Sequence, residues 1–342
     1  MIKFLIVPVS GHEIFMSDYN EIAGIRIRSD DAGFAAEEMR ECGRCGRRNP
    51  PNRPSCLYCG NEFELTGGTE IKIDSRPLEP WENGHNVVAV GLTAEFRADT
   101  LHAAIPIIDE GVGERLPDAE LPIPVARLRT AAEAGEIQRK LTTIGIDSVT
   151  VADLELAPDT PPVRLRSMEL GDRGLTVREF NTGRDVDIAA GDLVLIVAGT
   201  INESRLESFE KRKRGTAETT AETQTSSDSR VIDIYRRDDM TGYRITTTGF
   251  DFSCLALEKS LLAAENIERL AEKLGDLAPA AKLDRSYSAA RALLDLVWEE
   301  TRLGESLGFR RSGFGKKEIA RVEKSTNLDQ FNKYSRLRRR FI

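Results

Sequence analysis

Four of the five cysteines in this 342-residue chain stand in two CxxC pairs, and this spacing constrains the fold more than any other feature of the sequence. Cys42 and Cys45 form the first pair, and Cys56 and Cys59 form the second after an interval of ten residues. Two tight turns at this spacing can present four thiolates to one ion, and Zn²⁺ binds four such ligands tetrahedrally. We therefore predict a structural Zn²⁺ site that leaves no coordination position for a catalytic water.

A glycine follows each cysteine pair, at Gly46 and Gly60, where a turn that needs positive φ favours this residue. The pattern C-x-x-C-G…C-x-x-C-G, within residues 39–62, resembles the zinc ribbon class. The resemblance implies a small module held together by its metal, in a class whose members bind nucleic acid, proteins or no known partner. The remainder of the chain resembles no characterised family.

Length and composition indicate a globular protein of more than one folding unit. A chain of 342 residues exceeds what one hydrophobic core usually supports, so two or three units are expected. Hydrophobic residues at 40% and charged residues at 30% argue against a disordered chain and against a membrane protein. CxxC pairs without a disulfide framework are typical of a reducing compartment, which predicts a cytoplasmic location.

The predicted fold class is α+β, with an N-terminal zinc ribbon followed by two small mixed α/β units. A flexible linker or exposed loop is predicted between these units because the segment lacks large apolar residues to bury. The predicted boundaries are short N-terminal strands in 1–38, the ribbon in 39–62, an α+β domain in 63–210, the linker in 211–229, and an α+β to helical C-terminal domain with a basic tail in 230–342.

Periodicity of the apolar residues predicts individual elements within this frame. The predicted strands include 3–9, 25–28, 163–168, 174–180 and 192–201. The predicted helices are 126–144, 257–274 and 286–303. An apolar N-terminal stretch without a cleavage site is interpreted as a buried strand and not as a signal peptide.

Charge is distributed very unevenly along the chain. The net charge is −8, yet residues 302–342 carry twelve Lys or Arg and four Asp or Glu, a net +8, so the other residues carry −16. The basic tail interleaves aromatic residues with arginines, which suits contacts with RNA or single-stranded DNA. It equally suits a segment that docks Phe331, Tyr334 and Leu337 on its own core while its arginines pair with the acidic body, and we favour this interpretation.

The arginines around the cysteine pairs have two interpretations as well. They can neutralise the negative charge of four thiolates on a divalent ion, or they can contact phosphate groups. Together with the tail, they define the candidate polyanion contacts: Arg44, Arg47, Arg48, Arg53, Arg336, Arg338, Arg339 and Arg340.

No constellation of residues specifies a reaction. Cys254 is the one thiol outside the two pairs, and no histidine lies near it in sequence, so a buried structural cysteine is the better interpretation. We therefore expect a non-enzymatic interaction or regulatory protein whose partner is another protein. A nucleic-acid-binding protein that uses the ribbon arginines and the basic tail is the alternative, and an enzyme of unidentified class is a further one.

Overall fold

A computed structural model gives the fold of the chain and divides it into two units, Met1–Lys72 and Ile73–Ile342. The structure describes residues 21–22, 25–26, 39–51, 53, 55–61, 63, 73, 76, 78–79, 82–156, 160–213, 216–311 and 317–342. The strand predicted at 3–9 lies outside these residues. Helices and strands occur side by side in the second unit, in agreement with the expected α+β class.

The described part of the first unit contains two short antiparallel strand pairs. The strands are β1 (Glu21–Ile22), β2 (Ile25–Arg26), β3 (Arg40–Glu41) and β4 (Arg48–Asn49). Strand β2 falls in the segment 25–28 that the sequence predicts as a strand. Strands β3 and β4 flank the first cysteine pair, so the turn that carries Cys42 and Cys45 is closed at its base by a strand ladder.

The second unit begins with a three-stranded antiparallel sheet in the order β6-β5-β7. Its elements are β5 (His85–Leu92), α1 (Ala98–Ala104), α2 (Glu110–Arg115), a short 3₁₀ helix (Leu116–Asp118), β6 (Ile123–Leu128), α3 (Ala131–Thr143), β7 (Ile146–Ala152) and α4 (Asp153–Leu156).

The helix predicted at 126–144 begins later than expected because its first residues belong to β6. Thr130 and Glu133 form a capping box, in which each side chain accepts a hydrogen bond from the backbone N–H of the other residue. This box fixes the start of α3 at Ala131. Upstream of it, β6 pairs with β5 and is buried along most of its length.

A nine-stranded sheet forms the rest of the second unit. Its strand order is β10-β9-β8-β13-β12-β11-β16-β15, and β14 pairs with β11 in addition. The β13–β8 and β11–β14 pairs are parallel, and the others are antiparallel. The strands are β8 (Val163–Gly171), β9 (Gly174–Glu179), β10 (Asp185–Ala189), β11 (Leu193–Lys213), β12 (Thr216–Arg236), β13 (Tyr243–Thr246), β14 (Lys282–Asp284), β15 (Thr301–Arg311) and β16 (Lys317–Thr326).

Three longer helices pack with this sheet, and two 3₁₀ helices connect its strands. The helices are α5 (Ala263–Leu277), α6 (Tyr287–Leu294) and α7 (Leu328–Arg340), and the 3₁₀ helices are Ala190–Asp192 and Phe252–Glu258. Within the described ranges, no helix is both long and apolar enough to cross a membrane.

The segment 211–229 was predicted as a linker, but the structure places its described residues in β11 and β12. Strand β12 pairs with β11 along its length, and β16 pairs with β11 from Glu203 to Lys211. Five threonines between 216 and 225 favour extended backbone because they are β-branched. Ladder hydrogen bonds between neighbouring strands thus order a polar segment that has few apolar side chains to bury.

Strands β11 and β12 carry a hydrophobic core on each of their two faces. Leu195 and Val197 are buried in one core, and Ile196, which lies between them, is buried in the other. Val231 and Ile232 of β12 divide in the same way, because successive side chains of a strand point to opposite faces. Strands from both predicted domains, 63–210 and 230–342, therefore share one sheet and two cores within a single unit.

Candidate metal centre

Two similar turns present the four cysteines of the first unit. In the first turn the N–H of Gly46 donates to the carbonyl oxygen of Cys42 at 2.8 Å, and in the second the N–H of Gly60 donates to that of Cys56 at 3.0 Å. Gly46 and Gly60 have φ of 69° and 70°, a region that residues with a Cβ rarely adopt. The role predicted for the two glycines is therefore confirmed.

The four sulfur atoms lie within 4.8 Å of one another. The Sγ atoms of Cys42 and Cys59 are 3.6 Å apart, and those of Cys45 and Cys56 are 3.6 Å apart as well. A disulfide would require about 2.05 Å, whereas four sulfurs at about 2.3 Å from a tetrahedral Zn²⁺ lie about 3.8 Å apart. The cluster therefore fits a metal ion bound by four thiolates, and its dimensions are consistent with a zinc-binding site.

The cluster is partly shielded from water, and its surroundings lower the pKa of two of its thiols, those of Cys42 and Cys56. Cys42 and Cys56 are 1% and 3% exposed, whereas Cys45 is open to solvent. Burial opposes ionisation of Cys56, but hydrogen bonds from the backbone N–H groups of Tyr58 and Cys59 outweigh it and lower the pKa of its thiol to about 6.

The backbone N–H of Arg47 lowers the pKa of Cys45, but burial and the three neighbouring sulfurs outweigh it and raise that pKa to about 12. Because metals bind the thiolate form, the surroundings of Cys42 and Cys56 favour coordination, whereas Cys45 would have to lose its proton when a metal binds.

Asn49 joins the two cysteine turns, and the sequence analysis did not identify it. Its side chain is fully buried, its Nδ2 donates to the carbonyl oxygen of Arg47 at 2.9 Å and to the Sγ of Cys56 at 3.4 Å, and its Oδ1 accepts from the N–H of Leu57 at 2.8 Å. Asparagine is not a typical zinc ligand, and its position before two prolines matches no known spacing pattern. Its role is therefore visible only in the folded turns.

We expect Asn49→Ala to weaken metal affinity by about 10- to 100-fold, because partners that orient the ligands typically contribute that much. Competition with a chromophoric chelator on the purified full-length chain measures the change. Asn181→Ala is the matched control, since Asn181 is exposed and lies in the second unit. Equal metal affinity in the Asn49 variant and the wild type would contradict this role.

The arginines near the cysteines remain largely at the surface. Arg44, Arg47 and Arg48 are exposed, and Arg53 is half-buried. The guanidinium carbon of Arg47 lies 4.5 Å from the ring centroid of Tyr58, which is a cation–π contact. The structure thus leaves Arg44, Arg47 and Arg48 accessible to a partner.

The arginines of the C-terminal tail are arranged differently, because α7 packs into the core of the second unit. Arg336, Arg338 and Arg339 are 4%, 2% and 8% exposed. Arg338 pairs with the fully buried Asp284 and with Glu120.

The other tail arginines also have partners within the protein. Arg336 and Arg339 donate to backbone carbonyls, while the more exposed Arg340 pairs with Glu155. A polyanion could reach Arg336, Arg338 or Arg339 only if α7 left its site, so the arrangement is the self-docked one favoured above.

Cys254 lies in the 3₁₀ helix Phe252–Glu258 and is half-buried. Burial raises the pKa of its thiol to about 11, and the nearby carboxylate of Asp251 adds to this effect. A thiol with such a pKa is almost wholly protonated at neutral pH, so the environment does not activate Cys254 as a nucleophile.

No family model matches this chain, and comparisons with curated proteins and with solved structures likewise yield no match. The assignment of the metal centre consequently rests on the four cysteines and on the geometry that brings their sulfur atoms together.

Proposed function

We propose that residues 39–62 form a zinc ribbon with a structural Zn²⁺, and that the protein is a non-enzymatic interaction protein that uses this ribbon to bind another protein. The observation that carries the proposal is a pair of exposed apolar residues at the tip of the second cysteine turn. Leu57 and Tyr58 are 53% and 56% exposed although they lie directly between the ligands Cys56 and Cys59.

The metal would hold these two side chains in a fixed position. A rigid aromatic residue loses little conformational entropy on binding, which is one reason why tyrosine is enriched among the residues that dominate interface energy. The adjacent Arg47, stacked on Tyr58, adds a second residue type that such interfaces favour. A small surface of this composition supports a protein partner more than it supports catalysis.

A catalytic role for the metal centre has little support. Four sulfur ligands complete a tetrahedral Zn²⁺ site, whereas catalytic zinc sites keep one position for water or substrate. Cys254, the thiol outside the two pairs, is also poorly suited to catalysis, because its raised pKa keeps it protonated at neutral pH. We propose a cytoplasmic location because the two CxxC pairs form no disulfide bonds, which is typical of a reducing compartment.

The test compares the full-length wild type with a Leu57→Ser/Tyr58→Ser variant in affinity purification from the source cell. We expect proteins to co-purify with the wild type and to remain bound after nuclease treatment. Their recovery should fall by about tenfold or more with the variant, because the loss of an interface anchor costs about 2 kcal/mol of binding free energy. Leu154→Ser/Leu257→Ser is the control, since both leucines are exposed in the second unit. Equal recovery with all three baits, at equal metal content, would refute the proposed surface.

Nucleic acid binding is a second candidate because Arg44, Arg47 and Arg48 are exposed on the first cysteine turn and its closing strand. Each contact between an arginine and a phosphate group would contribute binding free energy that decreases as salt is added. Binding of a single-stranded oligonucleotide that falls steeply between low and moderate salt, and that is lost in Arg44→Gln/Arg48→Gln, would favour this candidate. Absence of binding at low salt would remove it.

A further inference from the structure

A cleft of about 930 Å³ lies within the second unit, between α7 and strand β6. Its lining includes Asn332, Lys333 and Arg336 from one face of α7, and Arg127 from β6. A cavity of this volume is in the range that holds small organic ligands. Several cations of its lining are largely buried, whereas its acidic residues are exposed.

Arg336 is the most buried cation of the cleft, at 4% exposure. Its Nη1 and Nη2 donate to the carbonyl oxygens of Leu156 at 3.3 Å and Thr160 at 2.8 Å, but its Nε has no hydrogen-bond partner. Among the described residues no carboxylate lies within ion-pair distance of Arg336. A buried cation that forms no ion pair is costly, and burial lowers the pKa of Arg336 although the buried carboxylate of Asp233 acts in the opposite direction.

Two further cations of the cleft share a single carboxylate. Asp153, which is 4% exposed, lies 2.6 Å from the Nη2 of Arg127 and 3.6 Å from the Nζ of Lys333. Burial lowers the pKa of Lys333 despite the attraction of Asp153. Arg127 and Lys333 thus share one carboxylate, whereas Arg336 forms no ion pair with a described residue, so these three cations outnumber the carboxylates paired with them.

The acidic residues of the cleft lie further out. Glu79, Asp109, Glu299 and Asp329 are exposed, so water can screen their charges, although Asp329, one helical turn before Lys333 on α7, still acts to raise the pKa of that lysine. They form a rim around a basic interior. An anion that enters the interior would meet cations whose field is screened much less.

Neutral residues also line the cleft. The Oδ1 of Asn332 is buried without a hydrogen-bond partner, and Asn332 lies one helical turn before Arg336 on α7. Ile107 and Leu296 line the cleft and are 37% and 38% exposed. The lining thus combines several cations, among them Arg336, which has no ion pair within the described part of the chain, with an apolar surface.

We propose that this cleft binds a small organic anion, in which a phosphate or carboxylate group contacts Lys333 and Arg336 and an apolar body contacts the side chains near Ile107 and Leu296. The chain as a whole carries a net charge of −8, so general attraction of anions does not account for such binding. The role is separate from partner binding by the ribbon, and it makes the second unit a ligand-binding domain.

Calorimetric titration of the full-length protein with 1-naphthyl phosphate and with 1-naphthoate tests the proposal. The compound that binds more tightly shows whether the cleft prefers a phosphate or a carboxylate group. We expect one site per chain with a Kd on the order of 10–100 μM. The neutral 1-naphthol should bind at least about tenfold more weakly, because it lacks the charge that the buried cations require. Failure of both anions to bind below about 1 mM would overturn the proposal.

Substitutions locate the site. Lys333→Gln and Arg336→Gln should each weaken binding of the anion by about tenfold or more, while Lys140→Gln, which removes an exposed lysine on α3, should not change it. Lys333→Gln is included because Arg336 is so buried that its loss can unfold the protein, and circular dichroism identifies the folded variants. Equal binding of 1-naphthol, or anion binding that Lys333→Gln leaves unchanged, would overturn the proposal.

Discussion

Replacing Cys56 with serine will abolish metal binding and unfold the described part of the first unit, while the second unit stays folded. The described hydrophobic cluster of the first unit consists of Cys42, Cys56 and Phe63, with Cys59 packed against it, so the cysteines themselves form most of its core. Structural Zn²⁺ contributes about 10–16 kcal/mol to the folding of comparable small modules, and a cluster of this size cannot replace that energy.

Metal analysis and limited proteolysis of the full-length chain measure the two effects of Cys56→Ser. Wild type should carry about one Zn²⁺ per chain and resist cleavage between residues 39 and 63, and the variant should lose both properties. Cys254→Ser is the control, because that thiol lies outside the cluster and should leave the metal content unchanged. Protein that carries no metal and still resists proteolysis in chelator would contradict the zinc assignment.

Replacing Arg338 with alanine will lower the free energy of unfolding of the second unit by about 3–5 kcal/mol, because it leaves the buried carboxylate of Asp284 without its cation. Arg338 is 2% exposed and Asp284 is 1% exposed, and Tyr334 donates a hydrogen bond to the same carboxylate at 3.1 Å. A loss of this size is a large fraction of the stability of most domains. Chemical denaturation, followed by circular dichroism, measures it.

Arg340→Ala is the matched control for Arg338→Ala. Arg340 lies at the end of the same helix, but its side chain is 42% exposed and its partner Glu155 is 41% exposed. Such a surface pair contributes about 0–1 kcal/mol, so the control should remain close to the wild type. Similar losses in the two variants would mean that the buried pair with Asp284 does not determine how firmly α7 is held.

The cluster of four cysteines is the part of this protein that its sequence predicted best. All four cysteines lie within 18 residues, from Cys42 to Cys59, and the turns that present them need only glycines at Gly46 and Gly60. Local backbone geometry therefore determines the site almost completely. Asn49 is the exception, because its hydrogen bond to Cys56 forms only after the two turns have come together.

The sequence also indicated many strands correctly, but it could not assign them to domains. A run of apolar residues such as Leu193 to Val197 predicts a buried strand, yet it does not reveal that alternate residues enter different cores. The polar segment 211–229 gave no sign of order in the sequence because the hydrogen bonds that order its described residues come from neighbouring strands.

The amino-acid sequence by itself determined the four cysteines, the turns around them and the concentration of positive charge near the C-terminus. Only the tertiary structure decided that Arg336 and Arg338 are buried and that Lys333 shares Asp153 with Arg127. The physical reason is the range of the interactions involved. Turns and metal ligands depend on neighbours in the chain, whereas the partner of a charged side chain depends on where distant segments meet.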